Sequence, residues 1–202
     1  MTKYYVIFSK EDEVVFPIRA VLSPYEDRFT RKTVPAPCGG MPQFFGGRAK
    51  QNEAPLAFLK QEVQRQSIKT FRLEGSANDL KEVQTAIVNS ERCVFYRTEQ
   101  WTKNPSDEWP TEEFWKLLEP EYREMVWVAK VPKIKFEEGA TPIGDTATKL
   151  DVLKILTNVA AQDAPVWVKN QLKGTSVKQF ADFATSETFT AFYKFLDCWS
   201  LS

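Results

Sequence analysis

Residues 44–67 read FFGGRAKQNEAPLAFLKQEVQRQS, and this stretch decides how the chain is read. A Gly-Gly pair opens into a polar loop. Leu56, Leu59 and Val63 then fall at i, i+3 and i+7, one face of a helix. Asn52 stands at an N-cap place, and Glu53 would meet the positive end of the helix dipole, so the expected helix runs over 53–67. Upstream, PAPCGGMPQFFGG (35–47) holds four of the chain's eight glycines and three prolines, which makes it a loop with unusual backbone demands.

Outward from this stretch, KYYVIFS (3–9) and EVVFPIRAVL (13–22) are aromatic and β-branched and predict strands, with Pro17 marking an edge or bulge. RFTRKTV (28–34) alternates and suggests a third strand, and IKTFRLEG (68–75) another. Leu80, Val83 and Ile87 share a helical face, so a second helix capped by Asn78 is expected over 79–90. RCVFYRTEQW (92–101) predicts a strand, NPSDEWP a turn, TEEFWKLL a short helix, and EMVWVAKVPKIKF (124–136) a buried strand. From about residue 146 the patterns are helical only. KLDVLKILTNVAA has a broad apolar face, and Ser176 with Gln179 forms a capping box. Phe189, Phe192, Tyr193, Leu196 and Trp199 make an apolar stripe on the last helix. The order gives an α+β class with a helical extension.

The chain has 202 residues, 43% hydrophobic and 27% charged, with zero formal net charge and a pI near 6.4. Such a balance belongs to a globular domain and lacks the basic footprint of a nucleic-acid binder. The N-terminal apolar run is too short for a signal peptide, and no stretch suits a membrane span. Cys38, Cys93 and Cys198 are odd in number and widely spaced, which fits a reducing, cytoplasmic setting. There are no histidines. Histidine-based triads, Cys-His dyads and histidine-ligated metals are therefore excluded within this chain. Cys38, lacking a histidine base, is a poor candidate nucleophile.

Residues 47–69 resemble the box of the Nudix superfamily, G-x5-E-x7-R-E-U-x-E-E-x-G-U with U apolar. Gly47, Glu53, Glu62 and Val63 occupy their places. Gln61 stands where the family has Arg, Arg65 and Gln66 where it has paired glutamates, and Ile68 where it has the final Gly. FFGG is similar to the family's F-P-G-G. The resemblance implies an α/β/α sandwich with a mixed sheet over residues 1–140 and a helical extension, 141–202, packed on it.

In the family, three carboxylates at i, i+3 and i+4 of one helix converge on Mg²⁺, a hard cation that prefers oxygen ligands. The metal polarises a phosphoryl group and activates water. Here that face offers Glu62, Arg65 and Gln66, so Glu62 alone remains as a metal ligand or catalytic group. Glu74, Glu99, Glu119, Glu121 and Glu124 could supply displaced acids. A guanidinium at 65 can instead clamp phosphate without metal. Gly46, Gly47, Arg48, Lys50, Glu53, Glu62 and Arg65 are then the candidate ligand-binding set, near a helix N-terminus that attracts anions.

The expectation is a non-catalytic Nudix-like module, without a cofactor, that binds a nucleoside-diphosphate-linked ligand or a protein partner; a homodimer is left open. One alternative is a Mg²⁺-dependent hydrolase of nucleoside diphosphate-linked compounds using displaced carboxylates. Another is a purely protein-binding inhibitor or immunity-type factor. This third reading gains if the C-terminal helices or the 102–110 loop plug the pocket.

Overall fold

The computed structural model describes residues 1–132 and 157–200, the side chains of 196–200 excepted. Its frame is a six-stranded mixed sheet. β1 (Thr2–Lys10) lies at the centre and runs parallel to β8 (Glu91–Thr98) along one side. Its other side is shared. The N-terminal half pairs with β5 (Phe45–Arg48) and the C-terminal end with β2 (Glu13–Arg19), both antiparallel. β10 (Met125–Pro132) extends the sheet beyond β2, and β7 (Lys81–Val88) beyond β8. Two small two-stranded sheets flank it, β3 (Leu22–Glu26) with β4 (Thr33–Pro35) and β6 (Phe71–Leu73) with β9 (Trp101–Lys103).

Strand alternation divides the core in two. Val6, Phe8 and Val15 face helix α1 (Pro55–Gln66), where they bury Phe58, Leu59 and Val63. Ile7, Val14 and Phe16 face the other way, onto helices α3 (Val166–Leu172), α4 (Val177–Ala184) and α5 (Glu187–Ser200), through Val168, Phe183, Phe192 and Phe195. The expected α/β/α layering and mixed sheet are therefore present. A short helix α2 (Glu112–Leu117), capped by the Thr111 hydroxyl, precedes β10. The proposed boundary at 140/141 lies outside the described residues, as do the first half of the 149–161 pattern and the side chains of Leu196 and Trp199. Residues 157–161 are helical. The capping box at Ser176 and Gln179 forms as expected.

Pro17 is tolerated within β2 for a local reason. β1 pairs with β2 only over Glu13–Val15, and beyond that the 40–43 loop takes its place. Gln43 N–H donates to the Pro17 carbonyl at 2.8 Å. The missing N–H of Pro17 therefore points at the loop, where no ladder partner is lost.

Four local expectations are corrected. Residues 79–90 are not a helix. Ala77–Asp79 form a single 3₁₀ turn, and β7 follows with a bulge between Glu82 and Gln84. Ile87, one of the three residues that marked the helical face, is 69% exposed. Residues 28–32 are a turn rather than a strand, because the Asp27 carboxylate accepts from the N–H groups of Phe29 and Thr30. The strand expected over 68–75 shrinks to β6, since Ile68 and Lys69 adopt positive φ after α1. Asn52 does not cap α1. It takes φ +63°, and Ala54 is the N-cap with Pro55 as the first helical residue.

Candidate functional site

Helix α1 presents Glu62, Arg65 and Gln66 toward the box loop and the segment before β10. The Arg65 guanidinium turns onto two carboxylates. Its Nε donates to Glu62 Oε1 at 3.1 Å and its Nη2 to Glu62 Oε2, a bidentate fork. Nη2 also reaches Glu124 Oε2 at 3.3 Å, and Nη1 donates to the Glu121 carbonyl. The Tyr25 hydroxyl, from β3, donates to the other Glu124 oxygen at 3.0 Å. The three charged side chains are 21%, 17% and 26% exposed for Arg65, Glu62 and Glu124, so solvent screens them only in part.

Burial disfavours the charged guanidinium. The hydrogen bonds and charge of Glu62, followed by those of Glu124, outweigh it and raise the Arg65 pKa above its ordinary value. The Tyr25 phenol is pushed up by its own burial and then by Glu124. Two carboxylates and one guanidinium leave the cluster with one net negative charge. An incoming phosphate would have to compete with both carboxylates for Arg65.

Gln66 stands where the family has its second glutamate, and it braces the loop. Gly46 N–H donates to Gln66 Oε1 at 2.9 Å, and Gln66 Nε2 donates back to the Gly46 carbonyl at 2.9 Å. Gly46 adopts φ +138°, and a Cβ there would lie 2.0 Å from the Tyr4 carbonyl oxygen. Its glycine is required by β1, whatever ligand the loop meets. Gly47 sits beside Glu62, whose Oε2 would lie 3.8 Å from a Cβ at that position.

The remaining candidates divide between two places. Arg48 pairs with Glu91 at 2.8 Å, as does Lys3 at 2.7 Å. These hydrogen bonds hold the Glu91 carboxyl below its ordinary range. The Glu53 carboxylate accepts from the Lys50 backbone N–H at 3.0 Å. Lys50, Glu53 and Tyr4 line a surface cavity of about 460 Å³. Glu62, Arg65 and Gly47 thus come together, whereas Arg48, Lys50 and Glu53 serve other contacts.

A divalent metal does not fit this arrangement. Among the described residues no group of three or more Asp, Glu, Cys or His converges in metal-binding geometry. Between Glu62 and Glu124, where a cation would balance two carboxylates, Arg65 already supplies one. Glu124 belonged to the displaced acids considered from sequence. Tyr25 and Glu91 had no local signature, because their partners lie 99 residues and at least 43 residues away in the chain. Burial raises the Cys38 thiol pKa, which opposes thiolate formation.

On the opposite face of the sheet, the C-terminal helices fill the space above the 35–44 loop. Phe192 packs edge-on against Phe16 and Phe44, with centroids 5.1 and 5.8 Å apart. Gln179 Nε2, buried, donates to the carbonyls of Val21 at 2.7 Å and Ala36 at 3.0 Å.

No protein-family model matches the sequence, and no curated protein does either. Among solved structures, the chain is similar to a MutT NUDIX hydrolase from Burkholderia pseudomallei, at 10% identity and a TM-score of 0.42, over 75% of this chain and 94% of that one. It is also similar to an ADP compounds hydrolase, at 12% identity and a TM-score of 0.38, over 84% and 74%. A third likeness is to the E. coli ORF135 protein, at 11% identity and a TM-score of 0.38, over 81% and 94%. Among the described residues no helix is long and apolar enough to cross a membrane.

Proposed function

We propose that this chain is a non-catalytic, Nudix-like binding module in which an arginine stands in the place of the divalent cation. The observation that carries the reading is the Arg65 guanidinium forked on Glu62 and shared with Glu124. Metal-assisted phosphoryl chemistry needs a cation with open coordination positions for substrate and water. A guanidinium has fixed donors and no open position, so it balances the carboxylates without activating anything. The box then works as a brace. Gln66 ties helix to loop, and Arg65 ties helix to the segment before β10.

The closed polar cluster and the filled opposite face favour a protein partner. A second reading rests on the cavity at Tyr4, Lys50 and Glu53 beside the box loop. There an aromatic ring and an ammonium group could hold a nucleoside-diphosphate-linked ligand without metal. Calorimetry with ADP-ribose and NAD, with and without Mg²⁺, separates the two: metal-independent heat supports the second reading, and none removes it.

Hydrolysis is tested by a chromatographic screen for monophosphate and pyrophosphate products over nucleotide sugars, dinucleotides and nucleoside triphosphates with Mg²⁺ or Mn²⁺. The proposal expects no turnover. Turnover that Glu62→Gln abolishes would establish the hydrolase instead.

A further inference from the structure

The hairpin of β3 and β4 carries apolar side chains that nothing covers. Every residue from 28 to 35 is exposed. Phe29, in the turn, is 95% exposed, and Leu22, Tyr25 and Val34 leave apolar surface open on both strands. A single exposed apolar residue is ordinary, but four on one ribbon mark a contact surface.

The ribbon is held at three levels. At its base, the buried Gln179 amide donates to the carbonyls of Val21 and Ala36, which flank the two strands. Midway, the Tyr25 hydroxyl donates to Glu124 within the Arg65 cluster. In the turn, one Asp27 carboxylate oxygen accepts from the N–H groups of Phe29 and Thr30 and from the Thr30 hydroxyl. Asp27 N–H donates to the Lys32 carbonyl at 2.9 Å and closes the turn. Phe29 is thus presented on a framework that is already ordered. A partner gains its burial without the cost of ordering a loop.

Charge and shape indicate what receives it. Arg28, Arg31 and Lys32 share the turn with Phe29, and their side chains form no ion pair among the described residues. Of the two neighbouring acids, Asp27 is committed to the turn, which leaves Glu26 against three cations. Those cations would repel one another if two hairpin tips met, which argues against a second copy. A lipid surface would meet the tip and leave Leu22, Tyr25 and Val34 in water. A protein groove that takes the ribbon covers all four, and carboxylates at its rim match the cations.

We propose that the β3–β4 hairpin is the docking element of this module and enters an apolar pocket ringed by carboxylates on a different protein. The inference rests on the protein-partner reading above. Phe29 fills the pocket, Arg28 and Arg31 pair with its rim, and the Arg65 cluster holds the ribbon in place through Tyr25.

The test places the photo-crosslinking residue p-benzoylphenylalanine in the full chain at position 29 and, in separate variants, at Ile87 and Leu117, both exposed and outside the hairpin. Irradiation in the native cells should give a protein adduct from position 29 alone. The captured protein, once purified, should bind the parent chain in calorimetry. Phe29→Ser should weaken that binding at least about tenfold. Arg28→Glu with Arg31→Glu should weaken it more than Arg28→Gln with Arg31→Gln, with the thermal unfolding of every variant matching the parent. The proposal is overturned if position 29 gives no protein adduct, or if its adducts are lipid or nucleic acid. It is equally overturned if Phe29→Ser binds like the parent, or if charge reversal does no more than neutralisation. A protein captured from position 87 or 117 and not from 29 removes the hairpin and leaves the protein-partner reading standing. No protein from any of the three positions removes both.

Discussion

Replacing Arg65 with methionine keeps much of the side-chain volume and removes the guanidinium. Glu62 and Glu124, both largely shielded, are then left facing each other, and the Glu121 carbonyl loses its donor. Fully exposed ion pairs contribute about 0–1 kcal/mol, whereas breaking a buried one costs about 3–5 kcal/mol. Exposures of 17–26% place this cluster between those limits, so we expect Arg65→Met to cost about 2–3 kcal/mol at neutral pH. For a chain of this size that lowers Tm by roughly 5–10 °C. One feature distinguishes this loss from simple packing damage. Millimolar Mg²⁺ should restore part of the Tm in the variant and leave the parent unchanged. Urea titrations and thermal unfolding with and without Mg²⁺ provide the measurement. A cost under about 0.5 kcal/mol, or one that Mg²⁺ leaves unchanged, would refute the reasoning.

Three further outcomes follow from named contacts. Gly46→Ala forces a Cβ into the Tyr4 carbonyl and should cost at least about 3 kcal/mol, or prevent folding, by circular dichroism during thermal unfolding. Lys69→Gly should stabilise the fold by about 1 kcal/mol in urea, since the exposed Lys69 holds φ +63°, a region in which glycine is unstrained. The Tyr5 phenol, partly buried and stacked on Phe95, is pushed up to about 12, chiefly by its removal from water. The folded state therefore holds its proton more tightly than the unfolded chain does. This contribution is complete below about pH 10 and is lost as pH rises toward 12, by up to about 3 kcal/mol. Urea titrations of Tyr5→Phe against the parent should show that alkaline loss in the parent alone.

The elements that signalled themselves in sequence are those whose apolar pattern is satisfied locally. β1, β2, α1 and β10 each bury an uninterrupted apolar set on one or both faces. β7 misled because Leu80, Val83 and Ile87 mimic a helical stripe, while its pairing with β8 and its bulge are long-range facts. Gln84, buried on that strand, is held by Glu187, 103 residues away. The candidate site was legible in part for the same reason. The helical spacing of Glu62, Arg65 and Gln66 puts them on one face, and the sequence shows a cation where an acid is expected. That Arg65 turns back onto Glu62 and Glu124, rather than outward to a ligand, depends on where the strand after α2 enters the sheet. Gln66 makes a similar point. Its amide reads as a lost metal ligand, but the fold uses both ends of it on Gly46.

Titration of Mn²⁺ into the parent and into Arg65→Glu, followed by calorimetry and the electron paramagnetic signal of free Mn²⁺, tests most directly whether Arg65 takes the place of the metal. The account predicts no saturable binding by the parent at millimolar Mn²⁺. It predicts a new site in Arg65→Glu, where Glu62 and Glu124 gain a third carboxylate, and loss of that site on adding Glu62→Gln. Stoichiometric Mn²⁺ binding by the parent, abolished by Glu62→Gln, would contradict it.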